Sequence, residues 1–447
     1  MTTYASFDRD QPFLLPPDLK DWLPEDDVAH FIVAAVERVR LGEFQTNRQA
    51  GGKPQYHPRL MLALLIYSYA NGVFSSRRIE RATYRDVGTR FIAANTHPDH
   101  DTIAHFRRVN RAAFEAAFLQ VLLLARESGL LRLGTVSIDG TKIDANASKI
   151  RSVRYDRAQE LRAKLAADIA ELTTKAEAAD VDGVDPQALP AEIARRAALK
   201  AKLDAACRRL EADAREAAEA EHPEYEAKKA AYEAKTGRRG RPPKPPDETP
   251  PPDRQCNLTD PDSALMRKSK AHEYRQSYNA QAAVCAEGSQ LILATNMATT
   301  PTDQPTFAAT ILAMENTVGL PRTVLADTGF ASGPAVAELE ARGIEPLIAI
   351  GRTQPHRPYD FRPPPEPKPE RRITEPWRIA MKQKLETEDG KSRYKKRKQT
   401  VEPVFGIIKS AMGFTRFHLR GIQNVAAEWL LVAIAYNCRR LHNLRMA

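Results

Sequence analysis

A chain of 447 residues, 42% hydrophobic and 28% charged, is long enough to hold two or three modules with substantial cores. Its formal net charge of +10 and pI near 9.3 favour a polyanionic partner, either a nucleic acid or an acidic membrane surface. Cys207, Cys256, Cys285 and Cys438 are far apart, without a C-x-x-C pair or a His spacing suited to zinc, so free thiols in a reducing cytosol are the default expectation.

Residues 1–130 read as helical. Met1–Asp10 is polar and lacks the apolar core of a signal peptide. Leu60 to Ala70 starts after Pro58 and stops at Asn71-Gly72, a helix-end signal. A second short unit contains Ser75-Ser76-Arg77-Arg78-Ile79-Glu80. In a third, Asp101 can cap a helix whose Ile103 and Phe106, with Phe114 and Phe118 beyond, face inward. Short helices with arginine outward fit a helix-turn-helix whose second helix enters the major groove. They fit equally an ordinary bundle with a solvated basic face. His100 and His105 make no visible metal pair.

From Gly134 the pattern changes to strands. Val136 and Ile138 alternate with Ser137 and Asp139, as in a strand with one face at a site. Residues 155–236 are rich in Ala, Glu, Lys and Arg. There Leu161, Leu165, Ile169 and Leu172, then Leu199, Leu203, Ala206 and Leu210, recur at helical spacing on either side of Asp182–Pro190. This predicts an antiparallel helical hairpin, followed by an irregular basic linker, Gly237–Pro252. Tyr278–Val284 and Leu291–Asn296 flank a turn at Glu287-Gly288 and predict a β-hairpin. A helix over Thr306–Val318, a strand over Thr323–Ala326, a helix over Pro334–Arg342 and a strand over Pro346–Ile350 follow. A second Pro-rich segment, Thr353–Pro369, precedes a helix that opens at Glu402. The order describes an α/β fold, a mixed sheet covered by helices. The apolar runs Leu60–Tyr67 and Val425–Tyr436 are too short for a bilayer, so no membrane span and a cytoplasmic location are expected.

Three acids stand out. Asp139 and Asp327 end short β-branched, apolar runs, and Glu402 begins a stretch with Val404, Ile408 and Met412 at helical spacing. A carboxylate trio on two strand tips and a helix suits a pair of divalent cations, which clamp the attacking and leaving oxygens of a phosphoryl transfer. Pro403 is tolerated only in a first turn, which puts Glu402 near a helix N-terminus. Lys391 to Arg420 contains nine Lys or Arg and a single acid, Glu402. Asp144, Asp260 and Asp262 read as structural acids, whereas Tyr278, Asn279 and Gln281 fit either a site lining or a half-buried strand. Spacing alone leaves the trio's role open between catalysis and structure.

Seven blocks in order carry a resemblance. They are PDHDTIAHFRR at 98–108, DGTKIDANAS at 139–148, NLTDPDSALM at 257–266, YNAQAAV at 278–284, LADTGF at 325–330, VEPVFGIIK at 401–409 and EWLLVAIAYN at 428–437. Together they resemble the DDE transposases of bacterial insertion sequences, in the IS5/IS1182-like group. The resemblance implies a ribonuclease-H-like catalytic core that cuts element ends and joins them to target DNA. It implies two Mg²⁺ ions, with Mn²⁺ able to substitute, held by Asp139, Asp327 and Glu402. It also implies double-stranded DNA as partner (terminal repeats and target), a homodimer or larger assembly, and a nucleoid-associated place in a bacterial cytoplasm. Lys409, Tyr394, Arg397 and Lys398 would hold DNA, as would Lys142 and, in the N-terminal region, Arg107 and Arg108. Tyr394 and Arg397 lie one residue farther from Glu402 than the family's commonest pattern. The implied domains are a helical DNA-binding domain at 1–130, a catalytic domain at 131–150 and 255–447, and an inserted hairpin with its linker at 151–254. Two rivals stand beside this reading: a metal-dependent nuclease without strand transfer, and a non-catalytic DNA-binding repressor derived from a transposase.

Overall fold

Asp27, Asp86, Asp99 and Thr387 each cap a helix with a side-chain oxygen. The computed structural model describes residues 18, 21, 23–46, 55–182, 188–234, 241–268, 271–351 and 373–446, with the side chains of 177–182, 188 and 189 excepted. Its leading helices are α1 (Val28–Glu37), α2 (Pro58–Ala70), α3 (Ser76–Arg85), α4 (Val87–Ile92), α5 (His100–Val109) and α6 (Arg111–Glu127). Next come β1 (Thr135–Asp144), β2 (Ser152–Arg154), α7 (Tyr155–Asp182), α8 (Ala188–Glu233), β3 (Gln255–Asn257), β4 (Ala264–Met266), β5 (Arg275–Cys285) and β6 (Ile292–Ala298). The chain continues through α9 (Phe307–Leu312), β7 (Thr323–Ala326), α10 (Gly333–Ala341), β8 (Glu345–Ile348), α11 (Pro376–Glu386), α12 (Glu388–Gly406) and α13 (Ile422–Met446). By contacts it divides into two compact units: 1–143, 279–419 and 423–447 form the first, and 144–278 with 420–422 the second.

In the first unit, β5, β1, β7 and β8 lie side by side in that order, and β6 pairs with the outer edge of β5. β1 and β7 are parallel from Thr135↔Thr323 to Ser137↔Leu325, and β7 and β8 are parallel over all of β7. The β5–β6 pair is antiparallel, with a register shift at Ala283/Val284. A mixed sheet of this order, flanked by helices, is the ribonuclease-H-like α/β fold. Val136, Ile138, Val324 and Leu325 fill the core together with Leu431, Val432 and Ile434 of α13, all fully buried. The Asn437 side chain both accepts from Ile292 N and donates to Ile292 O (2.9 and 2.8 Å), satisfying the first backbone groups of β6.

Four boundaries differ from expectation. β1 runs on to Asp144, so Asp139 stands in mid-strand, two residues past its last partner on β7. Asp99, not Asp101, caps α5, accepting from Thr102 N at 2.8 Å. Glu402 does not open a helix but sits near the end of α12, which starts at a Thr387 cap. Pro403 is therefore inside a helix, where it cannot donate to the carbonyl of Gln399; Gln290 Nε2 donates to that carbonyl instead, at 2.9 Å. The predicted helix over Thr306–Val318 is confined to α9 and the 3₁₀ turn before it, Gln304–Thr306. Thr353–Pro369 lies outside the described residues.

The second unit is built on the α7–α8 pair. Contacts Tyr155–Glu211, Arg162–Asp204 and Asp168–Arg196 climb one helix as they descend the other, so the two are antiparallel. Val153, Ala158, Leu203 and Cys207 form a small apolar cluster with Leu161 and Leu165, next to the β2–β3 ribbon. Leu199 is left exposed. β4 pairs with the first residues of β5, Ala264↔Ser277 to Met266↔Arg275. Asp144 is ion-paired with Lys268 and Arg275, and buried Asp260 accepts from Tyr278 Oη and Gly421 N, so both acids are structural. All four cysteines are buried and free. No helix among the described residues is long and apolar enough to cross a membrane.

Candidate active site

β1 and β7 run parallel, so the carboxylates that follow their paired segments emerge beside each other. Asp139 feels Asp327 directly: its carboxyl is pushed up to about 6 by burial and by the negative charge of Asp327, against the lowering pull of Arg397. Asp139 Oδ1 accepts from Gly140 N and Asp327 Oδ1 from Gly329 N, both at 2.8 Å, which fixes each acid to its own local backbone.

Helix α12 supplies the third acid and the charges around it. Arg393 donates to Thr323 Oγ1 at 2.6 Å, and Tyr394 Oη donates to Ala326 O at 3.0 Å, the carbonyl just before Asp327. Tyr394 thus steadies the turn that carries Asp327. One turn on, Arg397 reaches Asp139 Oδ2 at 3.0 Å and stands 3.7 Å from Glu402 Oε1. Its side chain is 11% exposed, against 52% for Glu402, so the guanidinium lies inside the site and the Glu carboxylate at its rim.

Among the described residues, no three His, Cys, Asp or Glu side chains converge closely enough to hold a metal ion. Like charges repel, and Arg397 stands between Asp139 and Glu402. The donor set itself suits a hard, oxygen-seeking cation: the acids are joined by the Oδ1 of fully buried Asn279, an oxygen with no hydrogen-bond donor among the described residues.

Past Glu402 the helix widens into a π-helical stretch, Ile407–Ala411. Lys409, within it, donates from Nζ to Thr141 Oγ1, and Thr141 shares a face of β1 with Asp139. Lys398 and Lys395 are exposed on α12, and Lys142 is half-buried on β1.

Arg107 is not at a surface. It is 5% exposed, and its Nη1 donates to Tyr69 Oη and Phe74 O at 2.8 and 2.9 Å, with Glu428 at 4.0 Å. Its assignment to DNA is corrected: the guanidinium belongs to the core. Arg108 is exposed. Four exposed arginines of α3, Arg77, Arg78, Arg81 and Arg85, form a stronger basic face, beside Tyr84 stacked on His97 at 3.8 Å. The sequence carried this signal as arginines outside the buried Ile79 and Thr83.

Sequence reasoning also missed Asp303. Its Oδ1 accepts from Asn279 Nδ2 at 2.6 Å and Gln281 Nε2 at 3.1 Å, which brings a fourth carboxylate to the same end of the sheet. The signal was the pair of amides at alternate positions on β5, which share one strand face.

A ribonuclease-H-like sheet with acids grouped at adjacent strands, and a basic helix that brings another, is the arrangement of polynucleotide phosphoryl transferases. Residues 249–438 match the family described as Transposase DDE domain, and residues 17–109 match Transposase domain (DUF772). The chain belongs to the DDE transposases, and its features are consistent with the IS1182-like group. The first match takes in Asp327 and Glu402, while Asp139 precedes it. Neither the curated proteins nor the solved structures give a match to this chain.

Proposed function

We propose that this protein binds the terminal inverted repeats of its own insertion sequence, cuts the DNA at each end and joins the freed ends to a target. Asp139, Asp327 and Glu402 would hold the Mg²⁺ ions. Bound there, two Mg²⁺ would lower the pKa of the attacking oxygen and stabilise the departing one. In the first reaction water attacks the phosphorus and a 3′-hydroxyl leaves; in the second that hydroxyl attacks target DNA and displaces a 3′ oxygen.

The residues of this chain position the partners. Arg397 compensates Asp139 and keeps its carboxylate near the reacting phosphate. Lys409 and Lys398 neutralise backbone charge, which acids alone would repel. Arg108 and the α3 arginines contact the repeats, so that 1–130 serves as the DNA-binding domain, 131–150 with 255–447 as the catalytic one, and 151–254 as an insertion available for assembly. Two ends must be brought together, which calls for a dimer or larger assembly. The proteins of this family work in the bacterial cytoplasm, and the same location is proposed here.

The observation that carries this reading is the pair Asp139 and Asp327 on adjacent parallel strands, with Arg397 linking Asp139 to Glu402. The test is purified protein with Mg²⁺ and labelled element ends. Cut and joined products are expected. Cutting without joining would make the protein a nuclease, and binding without cutting a repressor. Asp139→Asn, Asp327→Asn and Glu402→Gln should each lower cleavage at least about 1,000-fold while end binding persists, since each removes a ligating charge at constant shape. A variant that cleaves like wild type would remove its residue from the site.

A further inference from the structure

Asp303 precedes a 3₁₀ turn in the N-cap position, where an aspartate ordinarily accepts from the turn's own backbone N–H groups. It makes no such bond. Its carboxylate turns instead toward Gly140 of β1, next to Asp139, and toward the Asp327 turn that follows β7. Oδ1 takes the two amide donors from Asn279 and Gln281, side chains that are fully buried on β5.

The other oxygen faces Asp327. A methyl group built on Gly329 would lie 2.9 Å from Asp327 Oδ1 and 3.1 Å from Asp303 Oδ2, so the two oxygens are separated by no more than the sum of these distances, about 6 Å. A side chain at Gly140 would run into Asp303 Oδ1 and come within 2.8 Å of Asn279 Oδ1. Glycine at both positions leaves the space that Asp303 occupies next to Gly140 of β1 and Gly329 of the Asp327 turn. Among the described residues neither Asp303 nor Asp327 pairs with a Lys, Arg or His, whereas Asp139 has Arg397. The buried Asn279 Oδ1, without a partner, faces the same space. Two carboxylates that have no salt-bridge partner among the described residues, and a buried amide oxygen, together form an oxygen-rich pocket in which Arg397, 3.0 Å from Asp139, is the nearby cation.

We propose that Asp303 is a fourth acid of the active site, which shares with Asp327 the binding of a divalent cation, as ligand to the ion or to its coordinated water. The proposal rests on the reading of Asp139 and Asp327 as cation ligands. Mg²⁺ keeps several waters when bound by few carboxylates, and a carboxylate at this distance is suited to orient them.

Mn²⁺ serves as the probe, with its binding to the full-length protein measured by electron paramagnetic resonance or calorimetry in the absence of DNA. Asp303→Asn should weaken Mn²⁺ binding ~10–100-fold with an unchanged circular dichroism spectrum. Asp303→Glu, which keeps the charge, should recover part of the loss. Wild-type affinity in a folded Asp303→Asn protein would overturn the proposal, provided Asp139→Asn loses Mn²⁺. If Asp139→Asn also binds normally, it is the underlying reading of the acids that fails. A measurement without substitution guards against misfolding. Fe²⁺ loaded into the wild-type protein, with ascorbate and peroxide, cuts backbone close to the bound ion. Cuts near 303 as well as near 139 and 327 are expected, and cuts confined to the latter two would overturn the assignment.

Discussion

Glu428 is fully buried and takes hydrogen bonds from Tyr69 Oη at 2.8 Å and from the His418 and Leu419 amides at 2.9 Å, with Arg107 4.0 Å away. Burial by itself would raise its carboxyl pKa; His418, Arg107 and the Leu419 amide outweigh burial and hold it below the usual glutamate range. A carboxyl lowered on folding contributes stability above its unfolded pKa, about 4.3, and that stability is lost as pH falls through the folded value. Thermal unfolding followed from pH 7 to pH 3 should therefore show a steep acid limb, and Glu428→Gln should flatten it while lowering the melting temperature at pH 7. Arg107→Ala, which leaves this buried charge without its cation, should cost about 3–5 kcal/mol at neutral pH. A loss below about 1 kcal/mol in denaturant titrations would return Arg107 to the surface role that its sequence context suggests. That role was avoidable from the sequence. Ile103, Phe106 and Arg107 stand at i, i+3 and i+4, one helical stripe, so periodicity already put Arg107 on the inward face. The neighbouring Arg108 drew both residues into one basic reading.

At the scale of elements, alternation and turn residues located the β5–β6 hairpin, β7, α10 and β8 to within a few residues, because each is short and bounded by glycine or proline. Helix α12 was misjudged for a physical reason. Its first three turns are mostly polar and basic, with no apolar stripe to count, and Pro403 suggests a start. The helix continues through the proline because the carbonyl it strands finds Gln290, a residue more than a hundred positions away that no local pattern reveals. The π-helical stretch after it also shifts Lys409 relative to an ideal helix, yet Lys409 still meets β1. The end of this stretch is held against α2 at Gly72, whose φ is +73°, a left-handed value that favours glycine. A methyl there would come within 2.9 Å of the Met412 carbonyl. Gly72→Ala should thus destabilise the protein by more than about 1 kcal/mol, and it should speed amide exchange at residues 407–414 more than in β7. Uniform exchange across both segments would dissociate Gly72 from the π-helical stretch.

Over the whole molecule, the excess of positive charge must be divided into cations already committed to acids of this chain and cations open to DNA. In the most basic segment, Lys391 pairs with Glu388, Arg393 with Glu345 and Asp389, and Arg397 with Asp139. Lys395 and Lys398 are exposed, with no acid partner among the described residues. Lys409 donates to the neutral Thr141 hydroxyl on β1. Counting basic residues along the sequence treats all nine alike, and only the fold separates them. Each cation that neutralises one phosphate contributes about 0.9 to the slope of log binding constant against log salt. Lys395→Ala, Lys398→Ala and Lys409→Ala should each lower that slope by roughly 0.9 and weaken binding of all DNA sequences alike, because phosphate contacts do not read bases. Arg393→Ala should leave the slope unchanged and lower thermal stability instead, since its charge holds β8 and β7 to α12. Arg81→Ala on α3 should reduce both the slope and the preference for the cognate repeat. Salt titrations of fluorescence anisotropy, run with cognate and scrambled ends, separate these outcomes. An unchanged slope for the three lysines together would move the DNA path away from α12.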